Sequence, residues 1–270
     1  MKKTAQTENK SLKTFYLYLF IVILAIAAAL LIKGVIVVKD SKFDSSHDFT
    51  LAVTENNDVK EIIAFHPQVP AVGVLSIQDN KIPYSVLAKD YGIATDGYIQ
   101  VNNASDISTD ATAFIWSSLL HTTSWQTNLT ALDKIRLILF SKSVTTNNKT
   151  DESISLINQD STTQTTITNA LTDQDIADEN ISIEIINATN ITGFGQRLAN
   201  VLTTMGANVV EVSTAQNTQK QTTIQYFGDD SYTLNRVERL VGAIPTKINM
   251  QQIADIIITL GTDNSNTNAF

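Results

Sequence analysis

Residues 183–212 read IEIINATNITGFGQRLANVLTTMGANVVEV, and this stretch decides the fold of the C-terminal part of the chain. Its first segment is rich in isoleucine and ends at Asn187, which is typical of a β-strand. From Gly193 the apolar positions recur at helical spacing, and they stop before Gly206, a residue favoured just after a helix. A second segment rich in valine follows. The pattern therefore predicts a strand, an amphipathic helix and another strand.

The elements that follow extend this pattern into a small domain. Residues 222–227 predict a strand, residues 232–241 an amphipathic helix, and residues 253–260 a final strand closed by Gly261. The order β-α-β-β-α-β predicts a two-layer α/β domain over residues 181–263, with both helices on one face of the sheet.

Residues 49–143 also carry strand and helix signals, and we expect them to form an α/β domain. The predicted elements are strands over 49–53, 59–65, 69–77 and 98–101, and helices over 109–121 and 129–140. Residues 144–180 are dominated by Thr, Asn, Gln, Ser and Asp, and predict a polar linker with one weak helix. Residues 264–270 predict a disordered tail.

An apolar run precedes these domains. Residues 15–32, FYLYLFIVILAIAAALLI, contain no charge. At a rise of about 1.5 Å per residue, such a helix nearly spans a hydrocarbon core of about 30 Å. We therefore predict a transmembrane helix over 14–38, between a cytoplasmic tail over 1–13 and a stalk over 39–48.

The charges around this run predict its orientation. Four lysines and a single acidic residue precede it, which favours a cytoplasmic N-terminus and an extracytoplasmic bulk. The alternative is a cleaved signal peptide, because Ala27 and Ala29 form an A-x-A pattern. The run is longer than the roughly 7–15 apolar residues of a signal peptide, so we favour a retained anchor.

Composition excludes several classes of function. Of 19 Lys and Arg residues 13 follow Lys39, and of 27 Asp and Glu residues 26 follow it, which gives the exported part a net charge of −13. Such a surface repels nucleic acid, so we expect no nucleic-acid partner. The chain has no cysteine, and its three histidines are far apart. The sequence therefore predicts neither a metal site nor a cofactor.

Residues 181–263 resemble the C-terminal domain of the LytR family of bacterial envelope proteins. The matching segments are the quoted stretch, TTIQYF and ADIIITLG, and the matching positions are Asn187, Gly193, Gly206, Ala254, Asp255, Ile256 and Gly261. The family usually has Gly-Leu-Ala where this chain has Gly193-Phe194-Gly195. The resemblance implies an extracytoplasmic module associated with the cell envelope and assigns no reaction to it.

Residues 49–143 resemble a diverged LytR-CpsA-Psr domain, a family whose enzymes transfer lipid-linked glycopolymers to peptidoglycan. The resemblance lies in VLSIQDN at 74–80 and DGYIQVN at 96–102. Where the family has Ser-Ile-Pro-Arg-Asp, this chain has Gln78, Asp79 and Asn80 in place of Pro, Arg and Asp. An acidic group in place of a cation argues against pyrophosphate transfer. The alternative is a residual transferase, with Asp79 and Arg136 as weak remnants of its site.

Other polar and aromatic residues are candidates for ligand binding. Asn187, Gly193 and Gly195 surround a helix N-terminus that could receive an anion, although we favour a tight strand-to-helix turn as the explanation of the glycines. Trp125 is expected to be exposed and able to stack on sugar rings, whereas Trp116 is expected to lie in the core. Arg136 is expected to pair with Asp133 on a helix surface.

These observations together predict a single-pass, membrane-anchored envelope protein with two extracytoplasmic domains. We expect a non-catalytic binder or scaffold in the assembly of the cell wall or of a surface polymer. The alternatives are the residual transferase and a structural interaction module of a membrane complex. The expected partners are the membrane, peptidoglycan or a lipid-linked glycopolymer, and other envelope proteins.

Overall fold

The structure is a computed structural model that describes residues 4–79, 81–107, 110–121, 124–157, 160–249, 253–265 and 270. It begins with a long helix, α1 (Thr4–Lys39). Within its segment Phe15–Lys39, a window of 18 residues has a mean hydropathy of 3.0 and is not buried, and the segment is long and apolar enough to cross a membrane. A membrane span and a signal sequence both fit this description.

A first sheet follows the helix. Its strands are β1 (Phe49–Glu55), β2 (Asp58–His66), β3 (Ala71–Ile77), β4 (Gly97–Val101), β5 (Gln126–Thr127) and β6 (Lys149–Ile154). They lie in the order β5-β4-β1-β2-β3-β6. The hairpins β1–β2 and β2–β3 are antiparallel, whereas β4 pairs with β1 and β6 pairs with β3 in parallel. The sheet is therefore mixed.

Helices cover both faces of this sheet. They are α2 (Leu87–Tyr91), α3 (Ala111–Leu120), α4 (Ala131–Ser143) and α5 (Ser161–Leu171). On one face α3 and α4 bury Phe114 and Leu137 against the sheet. On the other face Leu87 of α2 and Ile167 of α5 pack against it. Alternate residues of the central strands supply the two cores, which is why these strands are buried on both faces.

Residues 144–180, predicted to be a polar linker, instead contain β6, α5 and a further helix, α6 (Gln174–Glu179). Strand β6 completes the first sheet, and Ile154, Ile167, Leu171 and Ile176 are buried. A few well-spaced apolar residues anchor this segment although its composition is polar. The first domain therefore continues beyond residue 143 and includes α5.

The second sheet is also mixed. Its strands are β7 (Ser182–Asn187), β8 (Asn208–Thr214), β9 (Thr223–Tyr226), β10 (Pro245–Lys247) and β11 (Ile256–Leu260), and its helices are α7 (Phe194–Thr204) and α8 (Tyr232–Val241). The strand order is β10-β9-β11-β7-β8. Leu198 of α7 and Val237 of α8 join one core with Ile185 and Ile258, so both helices cover the same face.

Two details differ from the expected second domain. Strand β10 was not expected, because three residues are too few to show periodicity and Pro245 is tolerated only at an edge such as this one. Phe270, in the predicted disordered tail, is 1% exposed, and its ring centroid lies 5.0 Å from that of Phe194. The end of the described chain therefore contributes to the core.

Candidate functional site

The two domains are joined by a buried arginine. Arg236 of α8 donates a hydrogen bond to Oδ1 of Asp96 over 2.7 Å, and its Nε lies 3.6 Å from Oδ2 of Asp173. The Arg236 side chain is 12% exposed. Burial alone would lower the pKa of Arg236, but the charges of Asp96 and Asp173 outweigh it and raise the pKa. The arginine therefore stays charged and bridges the domains.

Each carboxylate in this junction also accepts a hydrogen bond from a group other than Arg236. Oδ2 of Asp96 accepts the backbone N–H of Thr50 over 2.9 Å, which fixes Asp96 to β1. Oδ2 of Asp173 accepts the hydroxyl of Tyr232 over 2.7 Å. Burial raises the pKa of Asp173, against the opposing effect of the Tyr232 hydrogen bond. Arg236 therefore pairs with groups that are already held in place.

A histidine ties α5 to the same junction. The Nδ1 atom of His66 lies 2.7 Å from Oδ2 of Asp48, and its Nε2 lies 3.0 Å from the carbonyl oxygen of Ala170. Burial would lower the pKa of His66, but Asp48 outweighs it and the pKa is raised. His66, Asp48, Asp173 and Arg236 also line a small pocket of about 10 Å³, which is about the space that one water molecule needs.

A larger cleft lies beside this junction, at the C-terminal end of α1. Its volume is about 420 Å³. We call it the juxtamembrane cleft because it adjoins the segment of α1 that is long and apolar enough to cross a membrane. It is lined by Lys39, Asp40, Ser41, Lys42, Ala94, Thr95, Asp96, Met205, Arg236, Arg239 and Leu240. The stalk, the first domain and the second domain all contribute to it. Sequence reasoning missed this cleft because its residues come from segments far apart in the chain.

The stalk is held against α4. Oδ1 of Asp133 accepts hydrogen bonds from the backbone N–H groups of Lys42 and Phe43, over 2.7 and 2.9 Å, and from the hydroxyl of Ser41. Burial would raise the pKa of Asp133, but these hydrogen bonds lower it. Arg136 donates to the carbonyl of Phe43 over 2.9 Å. In the described structure, Arg136 and Asp133 do not form the predicted ion pair. Both side chains instead form hydrogen bonds with the stalk.

Asp79 has a structural role of its own. It accepts hydrogen bonds from the backbone N–H groups of Leu156 and Ile157, over 2.5 and 3.2 Å, and from the hydroxyl of Ser155. Asn80, the next position of the motif, lies outside the described residues. Asp79 therefore stabilises the turn after β6, and neither Asp79 nor Arg136 is among the residues that line the juxtamembrane cleft.

The strand-to-helix turn of the second domain is built as a tight turn. Oδ1 of Asn187 accepts the N–H and hydroxyl of Thr189, over 3.0 and 2.7 Å. Gly193 has a φ of +74°, which favours glycine. A Cβ on Gly195 would lie 3.3 Å from side-chain atoms of both Asn187 and Val212. The geometry supports the tight-turn explanation of these glycines over an anion site.

The two tryptophans exchange their predicted roles. Trp125 is 6% exposed and stacks on Phe114 and His121, with centroid distances of 5.5 and 4.9 Å. Trp116 is 54% exposed, and Nζ of Lys142 lies 6.0 Å from its ring centroid. The expectation of an exposed Trp125 is wrong. The buried face of α3 runs through Phe114, Ile115 and Ser118, and this directs Trp116 outward.

Two titratable side chains are buried away from the junction. Glu61 of β2 is 7% exposed, and burial, with a further contribution from Asp151, raises its pKa to about 7. Lys134 of α4 donates from Nζ to the carbonyl of Ser118 over 2.9 Å, and burial lowers its pKa. Sequence reasoning missed Glu61, although an acid directly before the apolar residues 62–65 of a predicted strand was a usable signal.

The described residues contain no group of three or more His, Cys, Asp or Glu side chains placed to hold a metal ion.

Comparison with known families identifies the second domain. Residues 180–263 match the family described as LytR cell envelope-related transcriptional attenuator. This segment is thus a LytR C-terminal domain, and the protein is related to the cell envelope. No curated protein and no solved structure matches the chain.

Proposed function

We propose that the protein is a membrane-anchored, extracytoplasmic component of the bacterial cell envelope, which binds or scaffolds a wall or surface polymer without catalysing its transfer. The LytR C-terminal domain supports the envelope assignment. The apolar segment of α1 and the four lysines that precede this segment support the anchor and its orientation.

The observation that carries the non-catalytic assignment is the use of Asp79 and Arg136 in structural contacts. Pyrophosphate transfer requires cations or a metal ion to stabilise the charge that develops on the phosphates. Asp79 accepts hydrogen bonds from the turn after β6, and Arg136 donates a hydrogen bond to the stalk. These contacts favour a binder over a transferase.

Trp116 is the side chain best suited to contact a polymer. Aromatic faces stack on the C–H surfaces of sugar rings, and this ring is exposed on the outer surface of α3. Leu120, one turn further along α3, is 70% exposed. We propose that this surface of α3 binds the polymer.

The proposal is tested with the full chain in neutral detergent and purified cell-wall sacculi. We expect the protein to co-sediment with the sacculi, and Trp116→Ala to reduce this binding. Ile253→Ala, which removes another exposed apolar side chain, is the matched control and should have no effect. Absence of binding by the unaltered chain would favour the interaction-module alternative.

A second measurement addresses the transferase alternative. The same preparation, supplied with magnesium or manganese, should leave a polyprenyl-pyrophosphate substrate unchanged. Turnover by the unaltered chain would overturn the non-catalytic assignment. Loss of that turnover in Asp79→Ala, with the fold unchanged by circular dichroism, would place the acidic group in a working site.

A further inference from the structure

The juxtamembrane cleft concentrates positive charge in a protein whose exported part is acidic. Four basic side chains line it, from Lys39, Lys42, Arg236 and Arg239, against the carboxylates of Asp40 and Asp96. The exported part as a whole carries twice as many acidic as basic residues. A local excess of cations against this background points to an anionic ligand.

Three of these cations are free to bind such a ligand. Arg236 is neutralised by Asp96 and Asp173. Nζ of Lys42 donates to the backbone carbonyl of Asp96 over 3.0 Å, and Nε of Arg239 to the backbone carbonyl of Asn235 over 3.3 Å. A neutral carbonyl does not cancel a charge, and none of the ion pairs among the described residues involves Lys39, Lys42 or Arg239.

The position of the cleft indicates where the anion comes from. The apolar segment of α1 ends at Lys39, and Lys39 to Lys42 form one wall of the cleft. Three residues span at most about 11 Å of extended chain. If α1 crosses the membrane as proposed, the cleft lies at the level of the lipid headgroups, within reach of their phosphates.

The surroundings of the cleft also suit a lipid. Ala94, Thr95 and Leu240 line both the cleft and a neighbouring recess of about 220 Å³. That recess is lined in addition by Tyr84, Leu87 and Ile93. A polar region with cations next to a largely apolar recess matches a ligand that has a phosphate and an apolar part.

We propose that the juxtamembrane cleft binds the phosphate of an anionic membrane lipid, with Lys42 and Arg239 as its main ligands. The arginine offers a planar set of donors that matches phosphate oxygens, and the lysine supplies a point charge. Because Arg239 lies on α8 and Lys42 on the stalk, a bound headgroup bridges the LytR C-terminal domain and the anchor. This inference rests on the proposed membrane anchoring.

The test is native mass spectrometry of the full chain in neutral detergent, titrated with phosphatidylglycerol, phosphatidylcholine or inorganic phosphate. We expect phosphatidylglycerol to bind in preference to phosphatidylcholine. The double variant Lys42→Gln/Arg239→Gln should lose roughly tenfold or more of this binding, since each basic group near an anionic lipid contributes about a factor of five. Both side chains are exposed, so the variant is expected to fold, and circular dichroism verifies this.

A second double variant, Arg197→Gln/Lys247→Gln, removes the same charges outside the cleft and should bind phosphatidylglycerol like the unaltered chain. Equal binding of the two lipids, or equal losses in the two variants, would overturn the proposal. Displacement of the lipid by millimolar inorganic phosphate would assign the cleft to a soluble anion instead. Sacculus binding is measured separately, so failure of the polymer-binding proposal would not be confused with failure of this one.

Discussion

Arg236 of the LytR C-terminal domain and Asp96 of the first domain form a hydrogen-bonded ion pair over 2.7 Å, and both side chains are largely shielded from water. Asp173, also in contact with Arg236, belongs to the segment that connects the domains. The LytR C-terminal domain is therefore in direct contact with the first domain. It is fastened to the first domain by charges that water screens poorly.

This junction makes Arg236→Met a destabilising substitution. Removal of the guanidinium leaves Asp96 and Asp173 without their cation, and breaking a buried ion pair from one side costs about 3–5 kcal/mol. Urea unfolding of the full chain in neutral detergent measures the change in free energy of unfolding. Arg239→Met is the matched control on the same helix; it is exposed and should change stability by about 0.5 kcal/mol or less. Equal effects of the two substitutions would show that the ion pair does not stabilise the junction.

Glu61 should make stability depend on pH. Its pKa is raised from 4.5 to about 7 in the folded state. Between these two values the unfolded chain releases a proton that the folded chain retains, so stability falls as pH rises through this range. This difference between the pKa values of the folded and unfolded states corresponds to a loss of about 3 kcal/mol at most in the free energy of unfolding.

Glu61→Gln should remove that loss, so the variant gains stability relative to the unaltered chain as pH rises from 5 to 8. Urea unfolding at both pH values measures the difference. Glu152→Gln replaces an exposed glutamate of β6 and should leave the pH dependence unchanged. His66, whose pKa is also raised, contributes a further pH dependence that Glu61→Gln retains. A pH dependence in Glu61→Gln equal to that of the unaltered chain would therefore contradict the role of Glu61.

Gly261 is required by packing rather than by its backbone angles. A Cβ at this position would collide with the backbone of Gln221, whose carbonyl oxygen would lie 2.7 Å away. We expect Gly261→Ala to destabilise the second domain by several kcal/mol, because backbone must move to admit the methyl group. Gly228 has a φ of +92° and open space around it, so Gly228→Ala should cost only about 1 kcal/mol through backbone strain. Thermal unfolding followed by circular dichroism compares the two, and equal shifts would contradict the packing argument.

The sequence was most informative where periodicity and glycine positions act together. Helix α8 was predicted with its observed limits, and α7 to within one residue at each end, because their apolar stripes are regular and Gly206 follows the stripe of α7. The segment of β6 and α5 was predicted to be a linker with one weak helix; β6 and the packing of α5 were missed, because the threonine-rich composition hides the few apolar residues that pack. Local composition does not report which distant strand a segment will join.

The functional surfaces were harder to predict for a related reason. The juxtamembrane cleft and the Arg236 junction bring together residues that lie more than one hundred positions apart in the chain. The roles of Trp116 and Trp125 depended on which side of α3 faces the sheet, and the neighbours of Trp116 in the sequence were apolar on both sides of the helix. Only the assembled fold distinguishes these cases.

Orientation across the membrane is the central claim, and the absence of cysteine from the chain allows a direct measurement. Single cysteines are introduced as Asp229→Cys, at a fully exposed position of the C-terminal domain, and as Thr7→Cys, before the apolar run. Intact cells are treated with a membrane-impermeant maleimide. The account predicts labelling of Asp229→Cys in intact cells on a chain of full length, and labelling of Thr7→Cys only after permeabilisation. Labelling of Asp229→Cys only after permeabilisation would contradict the extracytoplasmic location, and a labelled chain shortened by about 30 residues would contradict the retained anchor.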